Sequence, residues 1–218
     1  MLNKNGLDSS VNLSGIVLPE KNSPLERPAA RDIGIPSPAA NDSSLRFKLA
    51  PLPITEIAAK PTLSVLGLGY VGAVSAACFS DRGHSVIGVD PDTEKVATLN
   101  RGESPIVEEG LATLLDNARQ VGRLEAICDP HQAVLESDMT LVCVGTPTGP
   151  DGECDLKYLR MAARQIGTAL SQKDAYHVVV FRSTVPPKTT RDILIPLLEQ
   201  ASGKYCGRDF GVCFNPEF

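Results

Sequence analysis

The 218-residue sequence has no run of eighteen apolar residues, which excludes a membrane-spanning helix. It also has no basic excess. Its 21 lysines and arginines against 26 aspartates and glutamates leave a formal charge of −5 and a pI near 5.3. That balance argues against nucleic-acid binding through bulk electrostatics, so an anionic ligand needs a local site. The six cysteines form no C-x-x-C pair and have no histidine nearby at metal-ligand spacing, and no metal site or disulfide framework is expected. They read as reduced thiols of a cytoplasmic protein, with Cys128 and Cys143 in apolar runs that look like strand interiors. His84, His131 and His177 share no spacing, and none is assigned a role. Lys48, Lys60, Lys157 and Lys173 read as solvated charges. What remains is ordinary for a soluble globular chain: 42% hydrophobic and 22% charged residues, enough for one large or two small domains.

Residues 1–60 stand apart. Pro19, Pro24, Pro28, Pro36, Pro38, Pro51 and Pro53 fall among Ser, Asn, Asp and Ala with no sustained period. Such a segment buries too little apolar surface to offset its ordering entropy, and a disordered N-terminal extension is expected. It lacks the charged start and apolar core of a secretory signal, and its acidic residues argue against a transit peptide. The apolar patch at residues 45–57 is interrupted by prolines.

The organising stretch is residues 62–90. Leu63-Ser64-Val65-Leu66 reads as a buried strand running into Gly67-Leu68-Gly69-Tyr70-Val71-Gly72, which opens an apolar helix over residues 70–82. Gly67 permits a tight turn, Gly69 leaves no Cβ between the backbone and a pyrophosphate, and Gly72 lets the helix lie close to its strand. The helix start presents free amides and a positive dipole end to phosphates. A second strand, Ser85-Val86-Ile87-Gly88-Val89, ends at Asp90, about 20 positions past the glycines, where a carboxylate accepts hydrogen bonds from an adenosine ribose. Together these features point to a dinucleotide, with Asp90 favouring NAD over NADP.

Strand and helix then alternate. Asp92 is placed to cap a short helix ending at Gly102; Leu111, Leu114, Leu115 and Ala118 mark another, ended by Gly122. Strands are expected at residues 124–128, 139–144, 177–181 and 209–213, with a helical turn after Pro130. A long amphipathic helix follows Asp155, and a helix through Ile193 and Leu198 is bent or shortened at Pro196. The order implies an α/β fold, a doubly wound parallel sheet of the Rossmann kind over residues 61–218. Ligand contacts in such sheets lie at the carboxyl ends of strands, which makes Thr146 a natural cofactor contact.

Gly67 to Gly72, Val89-Asp90, Ser104-Pro105-Ile106-Val107-Glu108, Val144-Gly145-Thr146-Pro147, Arg182-Ser183-Thr184-Val185-Pro186 and Asn215-Pro216-Glu217-Phe218, in unbroken order, closely resemble the NAD-dependent nucleotide-sugar 6-dehydrogenases, the UDP-glucose and GDP-mannose dehydrogenases. Gly69-Tyr70-Val71-Gly72-Ala73-Val74, the Ser104 to Glu108 string and Gly122-Arg123-Leu124 look most like the GDP-mannose branch. The resemblance implies oxidation of a sugar C6 alcohol to a carboxylate in two hydride transfers to NAD, through a cysteine thiohemiacetal and thioester. It assigns amides near the pyrophosphate to Tyr70 and Val71, the adenosine ribose to Asp90 and Lys95, the nicotinamide half to Thr146 and Thr184, and the hydrolytic water to Glu217 as the one catalytic candidate. It implies that the central helix, the nucleophilic cysteine and the second domain lie beyond Phe218, so that this chain is inactive alone and a homodimer forms only in a complete form. Cys213 reads as a strand cysteine. Pro187-Lys188 departs from the family's glycine after Ser-Thr-Val-Pro, placing a side chain and a cation there. The nucleotide and the sugar stay open, as do a non-catalytic NAD-binding module or pseudoenzyme and a truncated gene product.

Overall fold

The computed structural model describes residues 60–217, so the expected extension over residues 1–60, apart from Lys60, and the 45–57 patch lie outside the described residues. Six strands, β1 Leu63–Leu66, β2 Val86–Val89, β3 Leu124–Ile127, β4 Met139–Val142, β5 His177–Phe181 and β6 Phe210–Phe214, form one sheet in the order β3-β2-β1-β4-β5-β6. Every pairing is parallel. The expected doubly wound sheet is present. Parallel strands are covered on both faces, which is why β1 is apolar and buried at nearly every position.

Alternation along each strand divides the core. Leu63 and Val65 of β1, Val86 of β2 and Leu141 of β4 pack against Ala76 of α1 (Tyr70–Asp81). Leu66, Val89 and Val142 face the other way, onto α4 (Pro130–Leu135), α5 (Lys157–Leu170) and α6 (Ile195–Ser202). Two further helices, α2 (Thr93–Asn100) and α3 (Leu111–Gln120), pack Leu99, Leu111 and Leu115 with Ala73 and Ala77 of α1. The strand order reverses between β1 and β4, so the crossovers leave on opposite faces and open a crevice at the carboxyl ends.

Several expected details differ. β3 ends at Ile127 and β4 at Val142, so Cys128 and Cys143 are not strand-interior residues; Cys128 is exposed. The Cys143 amide makes one more bond, 2.8 Å to the Leu66 carbonyl, and the chain then leaves the ladder to line the crevice. β6 runs one residue later than expected, because the Asp209 carboxylate accepts from the Tyr205 amide at 2.9 Å in the preceding turn. The bend near Pro196 is a π-helical turn, Thr190–Leu194, running into α6, with Pro196 in the first α-turn where its missing N–H is best tolerated.

Lys173 is not a solvated charge. It is buried, and its ammonium donates to the carbonyls of Val134 at 2.7 Å, Leu135 at 3.2 Å and Ser137, capping the carboxyl end of α4. Burial pulls its pKa down, opposed by Asp138. His177 is fully buried at the start of β5. One ring nitrogen, Nδ1, lies 3.1 Å from the Ser137 carbonyl, which can only accept, so Nδ1 carries the proton and Nε2 accepts from Thr140 Oγ1 at 2.8 Å. Thr140 in turn accepts from Ser64 at 2.7 Å, and Ser137 donates to Ser64 at 2.9 Å. These bonds join β1, β4 and β5 beneath the crevice with every hydroxyl engaged.

Burial, reinforced by the Lys173 charge and opposed by the Ser137 carbonyl and Asp138, lowers the His177 pKa from 6.5 to about 4. Between those values the folded chain binds fewer protons than the unfolded one, so stability is full above the unfolded pKa and falls as pH drops toward the folded one. At pH 5 this loss is about 2 kcal/mol. Urea unfolding at pH 7 and pH 5 is expected to show that much less pH sensitivity in a His177→Gln variant than in the wild type, and parallel losses in the two proteins would refute the assignment.

Candidate functional site

The crevice is built outward from the turn after β1. Gly67 has φ +95°, its amide donates to Val89 at 2.8 Å, and a Cβ there would lie 2.9 Å from the Cys143 carbonyl oxygen. A Cβ on Gly72 would stand 1.7 Å from the Gly67 carbonyl oxygen, so α1 seats on β1 only without one. Gly69 differs: nothing lies within 4 Å of where its Cβ would be, which leaves backbone open to the crevice. The first turn of α1 has no side-chain cap and no acidic residue. Its amides are left for an anion.

Asp90 is buried at the end of β2. Its carboxylate accepts from the Leu68 amide at 2.8 Å and the Asp92 amide at 3.0 Å, and Lys95 Nζ lies 3.6 Å away. A buried carboxylate so supplied is tolerated, and it pins the glycine turn to the second strand. Asp92 caps α2 as expected, accepting from Glu94 at 2.9 Å. The Tyr70 hydroxyl donates to Glu108 at 2.5 Å, tying the 104–108 loop to the start of α1; this bond raises the pKa of Tyr70.

Two hollows of about 370 and 350 Å³ adjoin along Gly69 and residues 143–145. Gly67, Gly69, Asp90 and Lys95 line the first. Gly69, Tyr70, Val71, Thr146, Thr184 and Glu217 line the second. The structure thus brings together every sequence-predicted site residue except Gly72, which sits behind the wall against Gly67. Sequence reasoning missed Tyr158, Met161 and Gln165 of α5, which close the first hollow. Their one signal was an exposed apolar pair, Tyr158 and Met161, outside the core stripe of an amphipathic helix.

It also missed Arg182. This side chain leaves the end of β5, donates through Nη1 to Asn215 Oδ1 at 2.6 Å and through Nη2 to the Glu217 carboxylate. The Arg182 carbonyl accepts from the Glu217 amide at 3.1 Å, the Thr184 hydroxyl donates to the Glu217 carbonyl, and the Thr146 hydroxyl to the Thr184 carbonyl at 3.0 Å. Arg182 Nε is the only buried side-chain nitrogen or oxygen without a partner among the described residues.

The profile of the "UDP-glucose/GDP-mannose dehydrogenase family, NAD binding domain" matches residues 61–218. The chain belongs to this family. GDP-mannose 6-dehydrogenase of Pseudomonas aeruginosa is 53% identical over 156 residues, 72% of this chain and 36% of that protein. UDP-glucose 6-dehydrogenase of Haloferax volcanii is 45% identical over 157 residues, with the same coverage. A solved ternary complex of the Pseudomonas aeruginosa GDP-mannose dehydrogenase superposes with a TM-score of 0.71 at 52% identity, over 72% of this chain and 36% of that one. The chain therefore spans about a third of the length of these relatives.

As an NAD binding domain of the family, the chain has residues that fit the cofactor: an uncapped helix start, exposed backbone at Gly69, and a carboxylate on the wall of the first of two adjoining hollows. Burial holds the thiol lining both hollows in its protonated form. Burial, with Glu217 adding and Arg182 opposing, pushes the Cys143 pKa up to about 12. Cys213 lies in β6, paired opposite Val180. No cluster of metal-binding side chains occurs among the described residues.

Where the family resemblance led one to expect glycine, Lys188 adopts φ +73°, the only non-glycine residue with positive φ among those described. It sits with Pro187 at the centre of a turn closed by the Thr189 amide on the Pro186 carbonyl at 3.2 Å. Lys188 is exposed and lines neither hollow, so its cost is backbone strain rather than crowding of the site. Lys188→Gly is expected to raise stability in urea by about 0.5 to 1 kcal/mol, the left-handed penalty less the extra entropy of an unfolded glycine; a loss of stability would contradict the strain.

Proposed function

We propose that this chain binds NAD along the two adjoining hollows, with the adenosine half at Asp90 and Lys95, the pyrophosphate at Gly67, Gly69 and the amides of Tyr70 and Val71, and the nicotinamide half at Thr146 and Thr184. The observation that supports it best is that both hollows are lined by Gly69, the one glycine of the turn with empty space before it. Gly72 contributes by seating α1. Bound there, NAD would accept hydride from a sugar alcohol.

The reaction we assign to a complete form is oxidation of a nucleotide-sugar C6 alcohol to the carboxylate, GDP-mannose being favoured over UDP-glucose by the higher identity to GDP-mannose 6-dehydrogenase. Glu217 in this reading orients or deprotonates water at the nicotinamide end, a role supported by its place in the lining of the second hollow. In this reading the substrate pocket and the nucleophilic cysteine lie in the part of the relatives that this chain does not cover, and a complete form is a cytoplasmic homodimer with no nucleic-acid partner. Among the described residues no helix is long and apolar enough to cross a membrane. A second reading, an NAD-binding module without chemistry of its own, is favoured by the suppressed ionisation of Cys143.

Calorimetry is expected to show NAD binding at one site, with NADP at least about tenfold weaker because Asp90 repels the added phosphate, and with Asp90→Asn narrowing that ratio. Equal binding of the two cofactors by the wild type would remove the role of Asp90. Mixed with NAD and GDP-mannose or UDP-glucose, the chain is expected to form no NADH, and clear turnover would overturn the placement of the nucleophile outside it.

A further inference from the structure

Among the described residues, the hollow holding Thr146 and Thr184 is lined by two charged side chains, Arg182 and Glu217, and these are bonded to each other. Cys143, on the same wall, stays a neutral thiol. Arg182 reaches Glu217 while its other terminal nitrogen is committed to Asn215, so the guanidinium fork fixes both residues of the segment after β6. The Glu217 backbone is held separately, by the Arg182 carbonyl and the Thr184 hydroxyl. The carboxylate is therefore presented at the wall by one cation, which also cancels its field.

Oxidised and reduced nicotinamide differ by one positive charge on the ring. Resting on the NAD reading above, which puts that ring in this hollow, we propose that Arg182 is a positioning residue for Glu217 and that the pair sets the preference between the two cofactor forms. Paired, the wall is neutral and discriminates little. With Glu217 unpaired it favours the cationic ring, and with Arg182 unpaired it favours the neutral one.

The test is titration of NAD and of NADH into the wild type and into Arg182→Gln, Glu217→Gln and the double variant, with ADP-ribose as a ligand that lacks the ring. Arg182→Gln is expected to shift the ratio of affinities about three- to tenfold toward NAD, Glu217→Gln by a similar factor toward NADH, and the double variant to return near the wild type. Arg182→Lys, which keeps the charge, should leave the ratio within about twofold of wild type. A loss of packing would weaken ADP-ribose as well and would not move the ratio in opposite directions. If Arg182→Gln loses ADP-ribose binding, Glu217→Gln decides, since that side chain is half exposed. An unmoved ratio, or shifts of the same sign, in proteins that bind ADP-ribose and NAD overturns this inference and leaves the NAD reading standing; a wild type that binds no NAD overturns both.

Discussion

The structure depends on the close approach of α1 to the turn that precedes it. With 1.7 Å between the Gly67 carbonyl oxygen and the position a Gly72 Cβ would take, any side chain at Gly72 would lift the helix from the sheet. That contact sets the direction of the helix start and hence where its free amides point. Asp90 completes the constraint from the neighbouring strand: its bond to the Leu68 amide locks the turn, and the carboxylate is thereby held at the crevice.

Charge is handled differently at the two ends of the sheet. At the carboxyl ends Asp90 with Lys95 and Glu217 with Arg182 stand as opposed pairs at the walls of the hollows, accessible enough for a ligand to enter their field. Beneath them Lys173 and His177 are sealed in the core, one satisfied by carbonyls and the other kept neutral. In a low-dielectric interior an unsatisfied group is costly, and the network beneath the crevice is complete; the one buried side-chain atom left without a partner among the described residues, Arg182 Nε, belongs to a pair at the wall.

Much of this was legible before any coordinates. The glycine turn, the acid ending the second strand and the alternation of apolar runs each follow from local stereochemistry, and they led to the observed parallel sheet and to Gly67, Gly69, Asp90 and Thr146 at the hollows, while Tyr70, Val71, Lys95, Thr184 and Glu217 came from the family resemblance. The misreadings share a cause. Cys128 and Cys143 look like strand residues because apolar composition does not mark where a ladder ends at a crevice. Lys173 looks solvated because the carbonyls that receive it belong to α4, nearly forty residues earlier. Arg182 stood in a quoted string without a role, because its partners Asn215 and Glu217 lie in the segment that follows β6, more than thirty residues on.

Sequence alone determined the class of fold, the turn that opens toward phosphate, and the acidic end of the second strand, because each is a matter of backbone freedom or residue spacing within some thirty residues. Tertiary structure decided which side chains meet: that Asp90 also braces Leu68, that α5 closes the first hollow, and that Arg182 holds Glu217. These contacts join elements distant in the chain, and only the order of strands in the sheet and the crossing of helices over it bring them within hydrogen-bonding reach.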